Sequence, residues 1–291
     1  SIGARVYLLR PPRPLNSAIF HLESDEVAVV PQTGWMAALL RTRWDAWAPD
    51  VPLVIVEAPF RDWTGPLLRY VDGVSKEHPD APRFKDFRVM LDKMGRDIDA
   101  VAISTPDHTH FPIAMAAMEC RKHVFVQKPL AHSIWQVRTL RKAARHYKVI
   151  TQMGNQGHTF NGMRRIKEWV DAGVIGDVRE VITWTNRPNP PWFIPPKSFP
   201  PQTGPAPATL DWDVWQGPVA SRDYSAEYVP TKWRGWWDYG CGALGDIGCH
   251  TFDAPFWVLG LGSPTKIEVE RKEPPGAGFI PMSSVVTYHF P

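Results

Sequence analysis

Cysteine is scarce in this sequence, and its few positions follow no metal-binding pattern. Only Cys120, Cys241 and Cys249 occur among 291 residues. An odd number of cysteines at these spacings predicts neither a disulfide framework nor a zinc site. We therefore expect reduced thiols that behave as small apolar side chains, and no bound metal.

Long hydrophobic runs and blocks of like charge are also missing. No stretch of 18 apolar residues occurs, so we predict no membrane-spanning helix and no membrane partner. The formal net charge is +3 without a long basic segment, so nucleic acid is not an expected partner either. Residues 1–16 have no apolar core followed by a small-residue cleavage site, which predicts a cytoplasmic protein. A removed or missing export signal stays compatible with the sequence.

The composition that is present is typical of a globular protein of two domains. Apolar residues make up 44% and charged residues 22% of a chain long enough for two hydrophobic cores. Its 14 tryptophans and 30 prolines are unusually many. The tryptophans lie mainly in the C-terminal half, where two interpretations stay open. They line a sugar-sized cleft, or they pack in the core and the loops.

Strand-like and helix-like patterns alternate along the first half of the chain. Apolar runs of strand length cover residues 26–30 and 51–56, and others end near Ser104, Gln127 and Gln152. Helical spacing of apolar residues separates them. This alternation predicts a parallel, doubly wound α/β sheet, whose ligands bind at the carboxyl ends of the strands.

A glycine-rich stretch from Gly240 to Trp257 is the most site-like segment of the sequence. Asp246 and His250 are four residues apart, so a helix would place both side chains on one face. A carboxylate beside an imidazole fixes its tautomer and prepares it for proton exchange near neutral pH. In the alternative interpretation, Asp246 is a helix N-cap and His250 a core histidine.

Four motifs in a fixed order carry a family resemblance. They are S-T-P-D-H-T-H at 104–110, Q-K-P-L at 127–130, M-G-N-Q-G-H at 153–158 and the tryptophan- and glycine-rich segment 233–257. With them, residues 74–291 resemble the glucose–fructose oxidoreductase/inositol dehydrogenase (Gfo/Idh/MocA) family. The resemblance implies a Rossmann-like domain followed by an α+β domain with a mainly antiparallel sheet. It also implies NAD or NADP as cofactor, a sugar or polyol substrate and a homo-oligomer.

The resemblance assigns roles to individual residues. Lys128 matches the catalytic lysine, and His250 and Asp246 match the substrate-site pair, which is also expected to be catalytic. Lys128 and His250 would handle the proton of the substrate hydroxyl. Positions on the cofactor side are Thr105, Pro106, His110, Gln127, Lys128 and Asn155. Arg234 and Trp192 are further predicted substrate contacts, chosen for their position among the tryptophans. Together these assignments place Lys128 and His250 at one common cleft.

The front of the chain departs from the family pattern. Nothing with the G-x-G-x-x-G spacing of a dinucleotide-binding turn occurs before Val74. Residues 25–72 instead weakly resemble the soluble C-terminal tail of amino-acid permeases. We therefore predict an atypical βαβα segment at 1–73, the remainder of the Rossmann-like domain at 74–153, and an α+β substrate and dimerisation domain at 154–291. The first βα unit is expected to be replaced, and the last domain to be incomplete at its C-terminus.

Three functional hypotheses follow from these motifs. The first is an NAD(P)-dependent oxidoreductase that acts on a sugar or polyol hydroxyl. The second keeps the fold and is an NAD-dependent glycosidase, which cleaves by transient oxidation and elimination. The third is a non-catalytic chimeric remnant that lacks the glycine-rich cofactor loop.

Overall fold

Two compact units make up the protein. The computed structural model describes residues 7–9, 27–29, 55–56, 82–187, 193–208, 210–229, 231–271 and 278–291. The first unit contains the described residues up to Gly154 together with Gln202–Thr231, and the second contains Asn155–Pro201 and Lys232–Pro291. The return of residues 202–231 to the first unit was not indicated by any sequence pattern.

A seven-stranded sheet forms the centre of the first unit. Its strands are β1 (Tyr7–Leu9), β2 (Val27–Val29), β3 (Ile55–Val56), β4 (Arg83–Phe84), β5 (Ala100–Ile103), β6 (His123–Gln127) and β7 (Thr151–Gly154). They lie in the order β4-β3-β1-β2-β5-β6-β7. Strands β2, β5, β6 and β7 run parallel, whereas β1 is antiparallel to both of its neighbours. The predicted α/β fold with a parallel sheet is confirmed.

The strand beside β5 is β2, which the sequence did not reveal. Val27 is paired with Ala100 and Val29 with Ala102. Strand β3, the described part of the run predicted at 51–56, pairs with β1 and β4 instead. In a doubly wound sheet, the strand that occupies the position beside β5 carries the turn that faces the dinucleotide. That position belongs to β2, and the sequence that follows it, V-P-Q-T-G-W, lies outside the described residues.

Helices α1 (Phe87–Met94), α2 (Asp107–Glu119) and α3 (Ile134–Tyr147) accompany β4, β5 and β6 in the chain. The Asp86 side chain caps α1 by accepting a hydrogen bond from Arg88 N. Ser133 and Gln136 form a reciprocal capping box at α3, as S-x-x-Q spacing predicts. Apolar faces of all three helices join the buried strands in one core, made up of Met90, Leu91, Ile98, Val101, Ile103, Ile113, Ala114, Ala117, Met118, Val124, Val126, Ala131, Leu140 and Ala143.

Residues 202–231 attach to the first turns of α2 through aromatic contacts. The short helix α5 (Trp212–Gln216) places the Trp215 carbonyl oxygen 3.0 Å from His108 Nε2, which donates a hydrogen bond to it. The two rings also pack with their centroids 5.2 Å apart. Trp212 stacks on Trp215 and on Tyr228. Because His108 and Trp215 are both buried, this contact is a fixed part of the first unit.

The second unit contains α4 (Asn161–Asp171), α6 (Gly242–Thr251), α7 (Asp253–Val258), β8 (Lys266–Arg271) and β9 (Ser284–His289). Strands β8 and β9 pair antiparallel along their full length, as expected for this domain. The sequence pattern also predicts a strand at 178–185, and this prediction is wrong. No described strand pairs with that segment, and Val181, Ile182 and Trp184 are exposed. An alternating pattern becomes a strand only where a neighbour accepts its hydrogen bonds.

The described residues show neither a membrane-spanning helix nor a metal-binding cluster. Within the described ranges, no helix combines the length and the apolar character needed to cross a bilayer. The same ranges contain no group of three or more histidine, cysteine or acidic side chains suited to a metal ion. In the part of the chain that the structure describes, Cys120, Cys241 and Cys249 form no disulfide.

Candidate functional site

The ends of two adjacent strands carry most of the predicted cofactor-side residues. Thr105 and Pro106 follow β5, while Gln127 is the last residue of β6 and Lys128 follows it. Thr105 and Gln127 are buried, and Lys128 is partly exposed. Strands β5 and β6 are parallel neighbours, so their ends lie at the same edge of the sheet. This edge is where a doubly wound sheet binds its ligand.

His110 joins the two strand ends. Its Nε2 lies 2.8 Å from the carbonyl oxygen of Thr105, and its Nδ1 lies 2.7 Å from that of Pro129. The imidazole is fully buried, and this burial lowers the pKa of His110 below its ordinary value. The charge of Asp107 and the two carbonyl groups act on this pKa in the opposite direction, and Lys128 lowers it further.

The lowered pKa predicts a pH-dependent contribution of His110 to stability. Below an unfolded pKa of about 6.5, the unfolded chain binds a proton that the native imidazole resists. The contribution is therefore complete above that pH and is lost as the pH falls through the native pKa. Urea unfolding followed by tryptophan fluorescence at several pH values between neutral and mildly acidic conditions measures this loss.

A pair of histidine variants isolates the effect. In His110→Asn, the free energy of unfolding should fall less steeply with decreasing pH than in the unchanged protein. His146→Asn, at an exposed position of α3, should keep the original slope. An unchanged slope in His110→Asn would show that this imidazole does not titrate between the two states.

A buried hydroxyl group without a partner among the described residues marks the end of β5. The hydroxyl oxygen of Ser104, immediately after β5, is completely buried and has no hydrogen-bond partner among the described residues. At Gly154, a Cβ atom would come within 2.6 Å of the Phe125 ring and 2.7 Å of Gln127 Nε2. Buried polar groups ordinarily have partners. The unmatched hydroxyl fits a polar ligand at this edge, whereas the glycine at 154 is required by the Phe125 and Gln127 side chains that pack against it.

In the second unit, the loop at 155–160, which precedes α4, is tied to α6 and α7 through its first four residues. The carboxamide nitrogen of Asn155 donates to the carbonyl oxygen of Cys249 over 2.9 Å. The Nδ1 atom of His250 lies 3.2 Å from the carbonyl oxygen of Gln156. His158, the fourth residue of the loop, places Nδ1 2.8 Å from the nearer carboxylate oxygen of Asp253. The predicted residues Asn155 and His250 therefore both lie at the contact between this loop and α6.

Asp246 lies inside α6 and is held by an arginine that the sequence did not point to. Its Oδ2 atom accepts a hydrogen bond from Arg187 Nη1 over 3.2 Å. Asp246 is buried and is preceded in the helix by a full turn that begins at Gly242, so the N-cap interpretation is wrong. The helical relation between Asp246 and His250 is confirmed. The guanidinium of Arg187 thus supplies a charged partner to this carboxylate.

The two guessed substrate contacts have different outcomes. Arg234 is 7% exposed, and its guanidinium lies over the Trp233 ring at 4.3 Å from the centroid. Trp192 lies outside the described residues. Trp233 and Trp236 are buried, so the packing interpretation applies to these two indoles.

Sequence reasoning missed Arg187, His158 and Asp253. The pairs Arg187–Asp246 and His158–Asp253 join residues 59 and 95 positions apart. No local pattern links such partners. The one available signal was the crowding of polar residues in the motifs at 153–158 and 246–253, which are tied together here.

Two domain models of one family match the chain. The model for the oxidoreductase family, NAD-binding Rossmann fold, matches residues 72–155, and the model for its C-terminal alpha/beta domain matches residues 161–279. Together they cover well over half of the sequence. A third model, the C-terminal domain of the KimA potassium transporter, matches residues 20–82. This range contains the segment that resembles a permease tail.

Individual relatives share less than 30% sequence identity with the chain in the examples that follow. Levoglucosan dehydrogenase of Pseudarthrobacter phenanthrenivorans is 24% identical over 224 residues, which is 72% of this chain and 47% of that protein. Myo-inositol 2-dehydrogenase of Thermotoga maritima is 27% identical over 95 residues, 33% of this chain and 28% of that protein. The crystal structure of GenD2 from gentamicin A biosynthesis, in complex with NAD, aligns with a TM-score of 0.49 at 21% identity. It covers 76% of this chain and 52% of that one.

The chain spans less than half the length of these curated relatives. Both family models nevertheless match in the family's order, the first over the parallel strands β4 to β7 and the second over most of the second unit. The motifs at the strand ends fall inside the first match, and Asp246 and His250 fall inside the second. This chain therefore belongs to the Gfo/Idh/MocA oxidoreductase family and carries that family's NAD-binding Rossmann domain.

Proposed function

We propose that the protein oxidises a hydroxyl group of a sugar or polyol with NAD or NADP as the hydride acceptor. The observation that carries this proposal is the sheet edge formed by β5 and β6. There Lys128 is partly exposed beside the buried Gln127 and Thr105, within the NAD-binding domain. When bound, the nicotinamide ring would take up the hydride from the carbon that carries the hydroxyl.

Each side chain at this edge has a separate proposed role. The Lys128 amine would accept the hydroxyl proton during oxidation and return it during reduction. Thr105, Pro106, Gln127 and the buried Ser104 hydroxyl would hold the cofactor, and His110 would fix the two loops that bear them. The precedent for an acid–base lysine is the family motif, and the support here is its place after β6.

Residues of the second unit would bind the substrate. His250 can exchange hydrogen bonds with a hydroxyl, while Arg187 holds the Asp246 carboxylate in place on the same helix. Asn155 would present its carboxamide oxygen, which is buried without a partner among the described residues. Arg234 and Trp192 stay predicted substrate contacts. The names of the two dehydrogenases above, for an anhydro sugar and a cyclitol, support this substrate class.

A reduction assay tests the proposal directly. The chain is incubated with NAD or with NADP and, in turn, levoglucosan, myo-inositol and glucose, and the absorbance of the reduced nicotinamide is followed. We expect the cofactor to be reduced with at least one pair of cofactor and substrate. We further propose that the protein is cytoplasmic and a homo-oligomer. Quenching of tryptophan fluorescence by NADH reports cofactor binding separately. No reduction with any pair would contradict the proposal, and release of nitrophenol from aryl glycosides without net reduction would favour the glycosidase hypothesis.

A further inference from the structure

Two imidazoles of the second unit are held in the same tautomer. His158 Nδ1 lies 2.8 and 3.0 Å from the two carboxylate oxygens of Asp253. His250 Nδ1 lies 3.2 Å from the carbonyl oxygen of Gln156. Carboxylate and carbonyl oxygens only accept hydrogen bonds, so Nδ1 carries the hydrogen in both rings. In each neutral ring, Nε2 is then a hydrogen-bond acceptor.

The loop 155–158 connects these two rings. Gln156, which orients His250, is two residues from His158, and Gly157 between them adopts a φ of +99°. Asn155 fixes the start of this loop to Cys249. The backbone that sets one imidazole therefore also sets the position of the other.

The environment of His158 is that of an oriented but accessible group. Its side chain is 42% exposed, whereas that of Asp253 is 16% exposed. The ring of Trp257 packs against the imidazole with centroids 4.8 Å apart, which limits its rotation. The Asp253 carboxylate at Nδ1 and the Trp257 ring beside the imidazole together fix the orientation of the His158 side chain. If His158 only connected the loop to α7, its imidazole would not need to be exposed to solvent.

We propose that His158 is a substrate-binding residue whose Nε2 accepts a hydrogen bond from a hydroxyl of the polyol. Asp253 is its positioning residue, because it fixes the proton on Nδ1. Because residues 155–158 position both imidazoles, this hydroxyl would be a neighbour of the one that His250 is proposed to bind, and the ligand class is a sugar or cyclitol with adjacent hydroxyl groups. This inference rests on the proposed function, whose residues do not include His158.

Two amide substitutions separate a binding role from a structural one. His158→Gln places an amide where Nε2 stood and gives up the contact with Asp253. His158→Asn places an amide nitrogen where Nδ1 stood, keeps the donor to Asp253 and lacks any group at Nε2. For a binding residue we expect KM for the polyol to rise about tenfold in His158→Asn, with a smaller rise in His158→Gln. A structural tie would give the reverse order, with the Gln variant impaired and less stable to urea, and that order would overturn the proposal.

A spectroscopic measurement decides the matter independently of turnover. In protein labelled with ¹⁵N-histidine, the resonances absent from His158→Asn identify the His158 ring. Levoglucosan and myo-inositol are then added in the presence of NADH, and at least one should shift the Nε2 resonance. If the chain reduces no cofactor but Nε2 responds, the proposed function fails and the binding role stands. If neither compound shifts Nε2, the binding role fails, whatever the outcome of the reduction assay.

Discussion

Replacing Lys128 by alanine should lower kcat by about 10²–10⁴-fold, the usual contribution of a positioned acid–base group. Lys128 follows the last residue of β6, so the substitution lies outside the hydrogen-bonded strand. The substitution removes the amine and leaves the buried neighbours Gln127 and Thr105 in place. The reduction assay with the best polyol measures kcat, and urea unfolding verifies the fold.

A second lysine serves as the control. Lys142 is exposed on α3, and Lys142→Ala should retain both activity and stability. NADH should still quench the tryptophan fluorescence of Lys128→Ala, because the loss concerns proton exchange. A Lys128→Ala protein with the original kcat would remove this residue from the mechanism.

Gly240→Ala should destabilise the second unit by about 2–4 kcal/mol. A Cβ atom at this position would lie 2.6 Å from Arg234 Cα and 2.8 Å from the Arg234 carbonyl oxygen. These are backbone atoms, and a rotamer change cannot relieve the overlap. Gly240 N also donates to the carbonyl oxygen of Trp236 over 2.8 Å, which fixes the turn from the other side. Urea unfolding followed by tryptophan fluorescence measures the loss.

Gly262→Ala is the matched control in the same unit. A Cβ there meets no described atom within 4 Å, and Gly262 is not among the glycines of positive φ. Its stability should change by less than about 0.5 kcal/mol. Equal unfolding midpoints for the two variants would contradict the close approach of residues 234 and 240.

Several strands and helices of the first unit were predictable because their signals are local. The runs that became β5 and β6 are mainly apolar segments, and the cap of α3 lies within four residues of sequence. Strand β1 was not predicted, because residues 7–9 lie in a stretch without a clear period. The neighbour of β5 was not predictable. Residues 26–30 and 51–56 have similar composition, and the choice of β2 depends on contacts with residues about 70 positions away.

The candidate site shows the same division between local and distant information. Lys128, Thr105 and His250 could be proposed from the sequence because each belongs to a short motif. Arg187 and Asp253 were missed because their importance comes from a partner far along the chain. The false strand at 178–185 has this cause as well, since its alternation says nothing about whether a neighbouring strand is present.

The path of the polypeptide between the two units limits how this protein can be divided. The chain leaves the first unit after Gly154, re-enters it at Gln202 and leaves it again after Thr231. Cutting after Gly154 would remove Trp215 from His108 and uncover a buried ring two residues before His110. Neither unit is thus an uninterrupted cassette that recombination could exchange in one piece. Exchanging one unit between related proteins would require junctions at all three points where the chain passes from one unit to the other.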